Sequence, residues 1–480
     1  MNGASKAVSR NLVLVACSLS LALVMMDVTI VNVVLPSVRR SLNASISELQ
    51  WFVDAYSLVV AGGLMTAGAL ADRIGRKRVF LTGIIMFGAG SALCGGAGSM
   101  SALILARAMQ GIGGAMLNPV ALSIIANVFV EPKERARAIG VWGMTSGAAL
   151  ALGPMVGGFV SEFIGWRAVF WINLPIGLIA LLMTIRFVSE SRAPVSPPLD
   201  PFGQAAIATA VVALSAALIQ GPDVGWGSPL ALALEGLFLV SAAGFVVIET
   251  RQLRPMLDFR FFRSLPFALA TVSAVMCFAV FSALLFLNTI YLQDVRGLSP
   301  ARAGIRLMPF ALSVMICAPL AGRLIAARGS RLPFLLASLG LTLGAVLLTG
   351  LSAGTPDWLL TIAYAVAGCG FGMCNAPITN AAVSGMPRSR AGVAAAVAST
   401  SRQIGAALGV AIAGTVRSGE HVGSGAEAAA AFLAATHPVW WLSVGLGIAI
   451  GVCGFIATGK RAHDSALRVA SAFDAHDRPG

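Results

Sequence analysis

Charge is what this 480-residue chain has least of: 11% of its residues are Asp, Glu, Lys or Arg, where a soluble domain carries about 25%. Only three Tyr and four His add to that supply. A soluble core cannot absorb the remaining apolar sequence in runs of about twenty, so the scarcity excludes a soluble enzyme, and the high hydrophobicity excludes a disordered chain. The seven cysteines, Cys17, Cys94, Cys277, Cys317, Cys369, Cys374 and Cys453, all fall inside apolar runs and none has zinc-ligand spacing with His. They read as small buried apolar residues, and neither a disulfide scaffold nor a metal centre is expected. No Ser/His/Asp constellation stands out either, because His421, His437, His463 and His476 scatter at or beyond the ends of the last two runs. The first run, Leu12 to Leu35, is too long for the apolar core of a signal peptide and lacks a small-residue cleavage site, so it reads as a membrane span.

What the chain does have is 57% hydrophobic residues and a mean hydropathy of +0.86. At ~20 residues per span that suffices for roughly 13–14 crossings. The runs are continuous rather than alternating, which excludes a β-barrel. The expectation is an all-α polytopic membrane protein. Fourteen runs can be marked, from 12–35 to 438–458, with the Ala-rich 204–221 the shortest. An even count puts both termini on one side. Loops on that side carry 24 Lys and Arg, the opposite loops carry seven, and two more, Arg107 and Arg402, fall inside runs. The asymmetry puts both termini in the cytoplasm. Seven of the eight Trp lie near the outer ends of the runs, where such rings prefer the interface. The net charge of +13 therefore belongs to short loops, and no nucleic-acid partner is expected.

The Pro/Ser-rich segment from Val188 to Phe202 cannot continue a helix and reads as a linker. A second hydrophilic stretch, Glu249 to Ser264, follows two runs later. The organisation is six spans, a pair, then six: an N-terminal half 1–192, a linker with two extra helices 193–264, a C-terminal half 265–459 and a tail 460–480. Gly68-x-Leu70 with Gly75-x-Lys77 recurs as Gly322-x-Leu324 with Gly329-x-Arg331, 254 residues on. Repeated halves are a transporter architecture.

Within the runs, three ionisable groups fall at similar depth. Asp27 sits about eight residues, roughly 12 Å, from the outer end of the first span, Arg107 is ~8 Å deep in the fourth, and Asp54 is about five residues into the second. An intramembrane acid is expensive and points to function, and a carboxyl in a low-dielectric setting can exchange a proton near neutral pH. Arg107 can pair with either acid. Two plainer alternatives stand beside this: Asp27 as a structural acid permanently paired with Arg, and Asp54 reaching out to the interface. Gly143-x-x-x-Gly147 and Gly153-x-x-x-Gly157 put small residues on one helix face, letting another helix approach, and Pro154 allows a bend. The loop 68–78 has five charges in seven residues, with Gly75 permitting a tight reversal and Asp72 placed to cap a helix or to pair with Arg76. Two phosphate-loop mimics fail. Arg461 stands where Gly454-x-x-x-x-Gly459-Lys460 would need Ser or Thr, and Gly368-x-Gly370-x-Gly372 lies inside an apolar run. Nucleotide binding is not expected, so the energy source is an ion gradient.

Gly68-Ala-Leu-Ala-Asp72-Arg73-Ile-Gly75-Arg76-Lys77-Arg78 resembles the loop signature of the major facilitator superfamily. Arg107-Ala-Met-Gln110-Gly111-Ile-Gly113 resembles its fourth-helix motif, and Gly153-Pro154-Met-Val-Gly157-Gly158 the antiporter motif of its drug exporters. Leu23-Val-Met-Met-Asp27-Val-Thr29-Ile-Val-Asn32, Trp166 to Gly177 with Asn173, Tyr291-Leu-Gln293 and Ser401-Arg402-Gln403 are similar to the fourteen-span drug:proton antiporters. The resemblance implies proton coupling through Asp27, Arg107 and Asp54. It also implies a conformational latch at Gly68, Asp72, Arg73, Gly75 and Arg76, and export of hydrophobic drugs, cationic ones among them, or of a natural product. Asn32, Gln110, Asn375 and Arg402 are candidate cavity polar groups; Arg402 could face a cavity or snorkel, and Asn375, like Asn118, Asn288 and Asn380, reads more readily as a helix–helix hydrogen bond. Partners are a small molecule, protons and the bilayer of the inner membrane; no cofactor is implied, and a monomer is expected. The same fold also serves an ion-coupled importer or facilitator. A transport-inactive sensor would not need a buried Asp27.

The charge asymmetry makes a direct prediction. In a background lacking the seven native thiols, single cysteines in 36–48 label from outside intact cells, and cysteines in 189–200 label only after permeabilisation. The reverse pattern contradicts the orientation, and an external C-terminal tail contradicts the count of fourteen.

Overall fold

A computed structural model describes residues 3–192, 200–252, 257–384, 386, 391–415 and 426–476. The helices in chain order are α1 (Gly3–Leu42), α2 (Ile46–Ile74), α3 (Arg76–Gly96), α4 (Met100–Val128), α5 (Pro132–Phe163), α6 (Ala168–Trp171), α7 (Asn173–Phe187), α8 (Pro201–Val224), α9 (Pro229–Arg251), α10 (Leu265–Ile290), α11 (Pro300–Arg328), α12 (Arg331–Thr349), α13 (Asp357–Val383), α14 (Ala391–Gly414), α15 (Ala426–Ala457) and α16 (Lys460–His476). A 3-10 turn, Phe259–Arg263, precedes α10 and a π-helical turn, Tyr291–Val295, follows it. No strand occurs among the described residues.

Thirteen helices among the described residues are long and apolar enough to cross a membrane. The run expected at 391–415 is helical as α14, 24 residues long, but Ser399, Thr400, Ser401, Arg402 and Gln403 make it more polar than the others. The run expected at 169–188 is interrupted between α6 and α7. Pro175 follows closely; it has no N–H to donate back to Trp171, and its ring crowds that carbonyl. The linker residues 193–199 lie outside the described residues. The Gly454–Arg461 stretch is the joint between α15 and α16.

Helix starts follow the sequence. Ser45 and Glu48 form a reciprocal capping box on α2. Ser99, Asp200 and Ser228 accept from the third residue beyond them at the starts of α4, α8 and α9. At α3 the cap comes from a distance. Gly75 turns the chain at φ 121° and has no side chain to offer, so Lys77 N donates to Glu190 Oε1 (3.1 Å) and Arg76 N to Ser191 O (2.9 Å).

Contacts divide the chain into two units: residues 1–199 with 297–308, and residues 200–296 with 309–480. In the first, Tyr56, Phe80, Phe87, Leu117, Val120 and Ile124 belong to one buried apolar cluster. Small residues bring backbones together around it. A Cβ on Gly90 would lie 2.6 Å from the Gln110 main chain, and one on Gly83 2.9 Å from Met116 Cβ, so α3 and α4 touch nearly without side chains between them. In the second unit, Gly405 and Gly409 of α14 abut Val275 and Ala279 of α10, and Gly340 and Gly344 of α12 abut Gly370 and Ala367 of α13. Helices α8 and α9 pair with each other, turning at Gly225 (φ 86°). The amphipathic α16 lays Phe473 against Phe261 (5.2 Å), and Ser465 Oγ accepts from Leu265 N (3.0 Å).

Adding one methyl at the α3–α4 contact tests this packing. Gly90→Ala forces the two backbones apart, and overpacking of this kind costs about 1–3 kcal/mol. The thermal midpoint of the purified variant falls below that of Gly96→Ala, whose Cβ meets nothing within 4 Å. Equal midpoints contradict the close contact.

Candidate functional site

Asp27 lies in the middle of α1, completely buried, and Arg107 comes to it from α4 with 1% of its side chain exposed. Arg107 Nη1 donates to Asp27 Oδ2 at 2.5 Å and to Gln110 Oε1 at 2.6 Å. Gln110 lies one turn along α4, so the same helix face supplies both. Gln110 Nε2 donates to Asp27 Oδ1 (2.8 Å), and Asn173 Nδ2 of α7 donates to the same oxygen (3.2 Å). Ser91 Oγ of α3 accepts from Gln110 (2.8 Å) and from Asn173 (2.9 Å). The carboxylate thus receives three hydrogen bonds, one from a cation, and four helices are tied at one point. The far side of Arg107 is aromatic: its guanidinium carbon stands 4.5 Å from the Tyr56 ring centre and 5.7 Å from that of Phe52. The pair is neutral as a whole, which is the affordable way to hold two charges away from water.

Asp54 is handled differently. It is fully buried, yet neither carboxyl oxygen has a hydrogen-bond partner among the described residues. Arg107 pairs with Asp27 and not with it. Phe52 and Tyr56 face Arg107, and Asp54 stands two residues from each, about 200° round the helix. It does not reach outward to solvent.

The stretch 68–78, expected as a loop, is the end of α2 and the start of α3 joined at Gly75; across that joint Asp72 Oδ1 accepts from Arg76 Nη2 (2.9 Å) and Nε (3.2 Å). Arg73 is exposed, and a Cβ on Gly68 would meet nothing within 4 Å. At Gly75 the Cβ position is filled by the Glu190 carboxyl, 2.5–2.7 Å away, and Arg78 Nε lies 3.8 Å from the same group. Glu190 is a member of this cluster that sequence reading missed; the one signal was an acid directly after a span on the basic side.

The small residues of α5 each meet a neighbour. A Cβ on Gly153 would strike Thr29, and one on Gly157 would strike Ile30, both on α1 just beyond Asp27; one on Gly158 would strike Pro300 at the start of α11. Pro154 presents its carbonyl to Gly304, and Glu162 Oε2 accepts from Ala301 N (3.0 Å). Of the candidate polar groups, Gln110 belongs to the Asp27 cluster. Asn32 donates back to Val28 O (2.9 Å), and its Oδ1 has no partner among the described residues. Asn375 is exposed and Arg402 donates to Thr379. Asn288 of α10 accepts from Tyr364 of α13, and Asn380 donates to Ser330 in the turn before α12. Ser91 and Tyr56 carried no sequence signal, since single hydroxyls in apolar runs are common; Asn173 stood inside a family-like motif without an assigned role.

The Major Facilitator Superfamily profile matches residues 17–410. The multidrug resistance protein Stp of Mycobacterium tuberculosis is 37% identical over 405 residues, 84% of this chain and 75% of its own length. The tetracenomycin C resistance and export protein of Streptomyces glaucescens is 34% identical over 407 residues, 84% of this chain and 75% of that one. The methylenomycin A resistance protein of Streptomyces coelicolor is 35% identical over 393 residues, 82% of each. Among solved structures, a bacterial homologue of the human lysosomal transporter Spinster aligns with a TM-score of 0.64 over 96% of this chain and 98% of its own, at 21% identity, a likeness of fold.

The closed cluster predicts strong coupling between its charges. Removing Arg107 strands a buried carboxylate, so Arg107→Ala lowers stability by about 3–5 kcal/mol. The double variant Asp27→Asn/Arg107→Ala then unfolds at a midpoint no lower than that of Arg107→Ala alone. Additive losses in a thermal double-mutant cycle contradict the pairing.

Proposed function

The chain belongs to the major facilitator superfamily, and we propose that it is a proton-coupled antiporter exporting hydrophobic small molecules across the inner membrane, which it spans many times. The curated relatives are drug- and antibiotic-resistance proteins, one of them named for export, and an exported drug or natural product is the cargo that fits. The observation that carries the coupling is the contrast between two intramembrane acids of one unit: Asp27 held by a cation and two amides, Asp54 held by nothing described.

In this reading Asp27 is the partner of Arg107, and Asp54, which has no such partner among the described residues, carries the proton. A proton reaching Asp27 cancels its attraction for Arg107 and releases α4 from α1, so the same event that moves a proton repacks helices. The Asp72–Arg76 pair with Arg73, Gly68 and Gly75 acts as the latch, and Gly153, Pro154, Gly157 and Gly158 supply the surface that must slide. Helix α14 counts as the fourteenth span, with both termini cytoplasmic. The functional parts are 1–192, the inserted pair in 193–264, 265–459 and the tail 460–480, acting as a monomer on cargo and protons. Asn375 and Arg402 are the candidate polar contacts for cargo in the second unit and Asn32 in the first, while Gln110 is committed to the Asp27 cluster.

Export by everted vesicles tests the reading. Drug accumulation stops on adding a protonophore. Asp27→Asn and Asp54→Asn each lower the drug-driven proton flux about 10-fold or more while the protein remains in the membrane. Protonophore-insensitive accumulation contradicts proton coupling, and normal flux in either variant removes that acid from it.

A further inference from the structure

Arg402 lies twelve residues into α14, about 18 Å along the helix at 1.5 Å per residue. Its Nη2 donates to Thr379 Oγ1 of α13 (2.5 Å), the one hydrogen bond among the described residues for a guanidinium that has five donors. Its Nε is buried and has no partner among the described residues. No Asp or Glu stands deeper than the second residue of any helix from α10 to α15. The first unit neutralises its buried cation with Asp27, whereas among the described residues no carboxylate lies in ion-pair range of Arg402.

Two further observations say what would complete the site. Thr379 Oγ1 donates to Asn375 O (3.0 Å), so it turns a lone pair to Arg402, and the exposed amide of Asn375 stands one turn away on the same face of α13. One turn beyond that is Phe371, stacked on Phe281 at 4.3 Å and edge-on to Phe278 at 5.2 Å. Along α13, residues 371, 375 and 379 thus place a buried aromatic cluster (Phe371 is 3% exposed), an exposed amide and a hydroxyl-held guanidinium in sequence. A planar fork of donors suits a carboxylate, enolate or phenolate, and the aromatic packing beneath the amide suits the apolar body of an aromatic acid. An unpaired cation at this depth is kept where it serves a pathway.

We propose that Arg402 is a specificity residue for cargo, recognising the anionic oxygen of an aromatic acid. The inference rests on the export reading and narrows it: among hydrophobic cargoes, aromatic anions are preferred over aromatic cations.

Two xanthene dyes of opposite charge test it: the fluorescein anion and rhodamine 6G, a cation whose carboxyl is esterified. Binding to the purified full chain in nanodiscs is read by fluorescence anisotropy. Fluorescein binds about 10-fold more tightly than rhodamine, and Arg402→Gln removes that preference by weakening fluorescein alone. Arg402→Lys keeps the charge without the fork and falls between them. Because rhodamine binding is unchanged, it reports that each variant is folded; if Arg402→Gln does not fold, the reduced selectivity of Arg402→Lys carries the test. Tighter binding of rhodamine, binding of neither dye, unchanged selectivity in the variants, or equal weakening of both dyes overturns the proposal, the last because Arg402 then serves a carboxylate of the chain. Protonophore-sensitive efflux of either dye from cells is scored separately. Charge-selective binding without efflux removes the export reading and leaves the anion site, and efflux without charge selectivity does the opposite.

Discussion

A guanidinium and a carboxylate that share one dry space must face each other, and in the first unit this requirement sets where four helices stand. Arg107 and Asp27 come from α4 and α1, and their remaining hydrogen-bond capacity is met by Gln110, Asn173 and Ser91, which recruits α7 and α3. Desolvating either charge alone costs several kcal/mol, and only mutual attraction with well-placed hydrogen bonds offsets it. The amides and the hydroxyl are therefore part of the pair rather than additions to it. The aromatic rings of Phe52 and Tyr56 close the side of Arg107 that Asp27 does not cover.

Such a cluster stays dry only if the helices around it approach closely. Gly90 lets α3 reach the main chain of α4 at Gln110 itself, and Gly153 and Gly157 let α5 reach α1 within a turn of Asp27. The small residues and the charges are thus two halves of one arrangement, because a wider helix spacing would admit water and weaken each hydrogen bond. The same arrangement is poised for change. Protonating Asp27 removes the charge that justifies its donors, while the packing that holds them remains. Asp54 supplies the contrast within the same unit, an acid that is buried without any such company.

Helical class, most span positions and the burial of Asp27, Arg107 and Asp54 were legible because apolar runs and interrupting charges are local features of the sequence. The pairing of Arg107 with Asp27 rather than Asp54 was not, since it depends on the angular position of Asp54 between Phe52 and Tyr56 and on the crossing of α1 with α4. Glu190 escaped notice for a similar reason: it caps α3 from more than a hundred residues away, and nothing near Gly75 in the chain announces it. The break at Ile172 was legible in principle from Pro175 but was hidden by the continuous hydropathy around it. Helix α14 was found as an apolar run, and its polar stretch around Arg402 is what sets it apart from its neighbours. Asn173 and Ser91 show the limit of pattern reading, because a single amide or hydroxyl in an apolar run has the same appearance whether it binds a lone carbonyl or completes an ion pair.

The account turns on which acid holds the proton when Arg107 faces Asp27. Infrared difference spectroscopy of the purified protein, recorded across neutral pH, detects the carbonyl stretch of a protonated carboxyl directly. The band is predicted in the unaltered protein and in Asp27→Asn, and its loss is predicted in Asp54→Asn. A band that survives in Asp54→Asn and vanishes in Asp27→Asn would contradict the assignment.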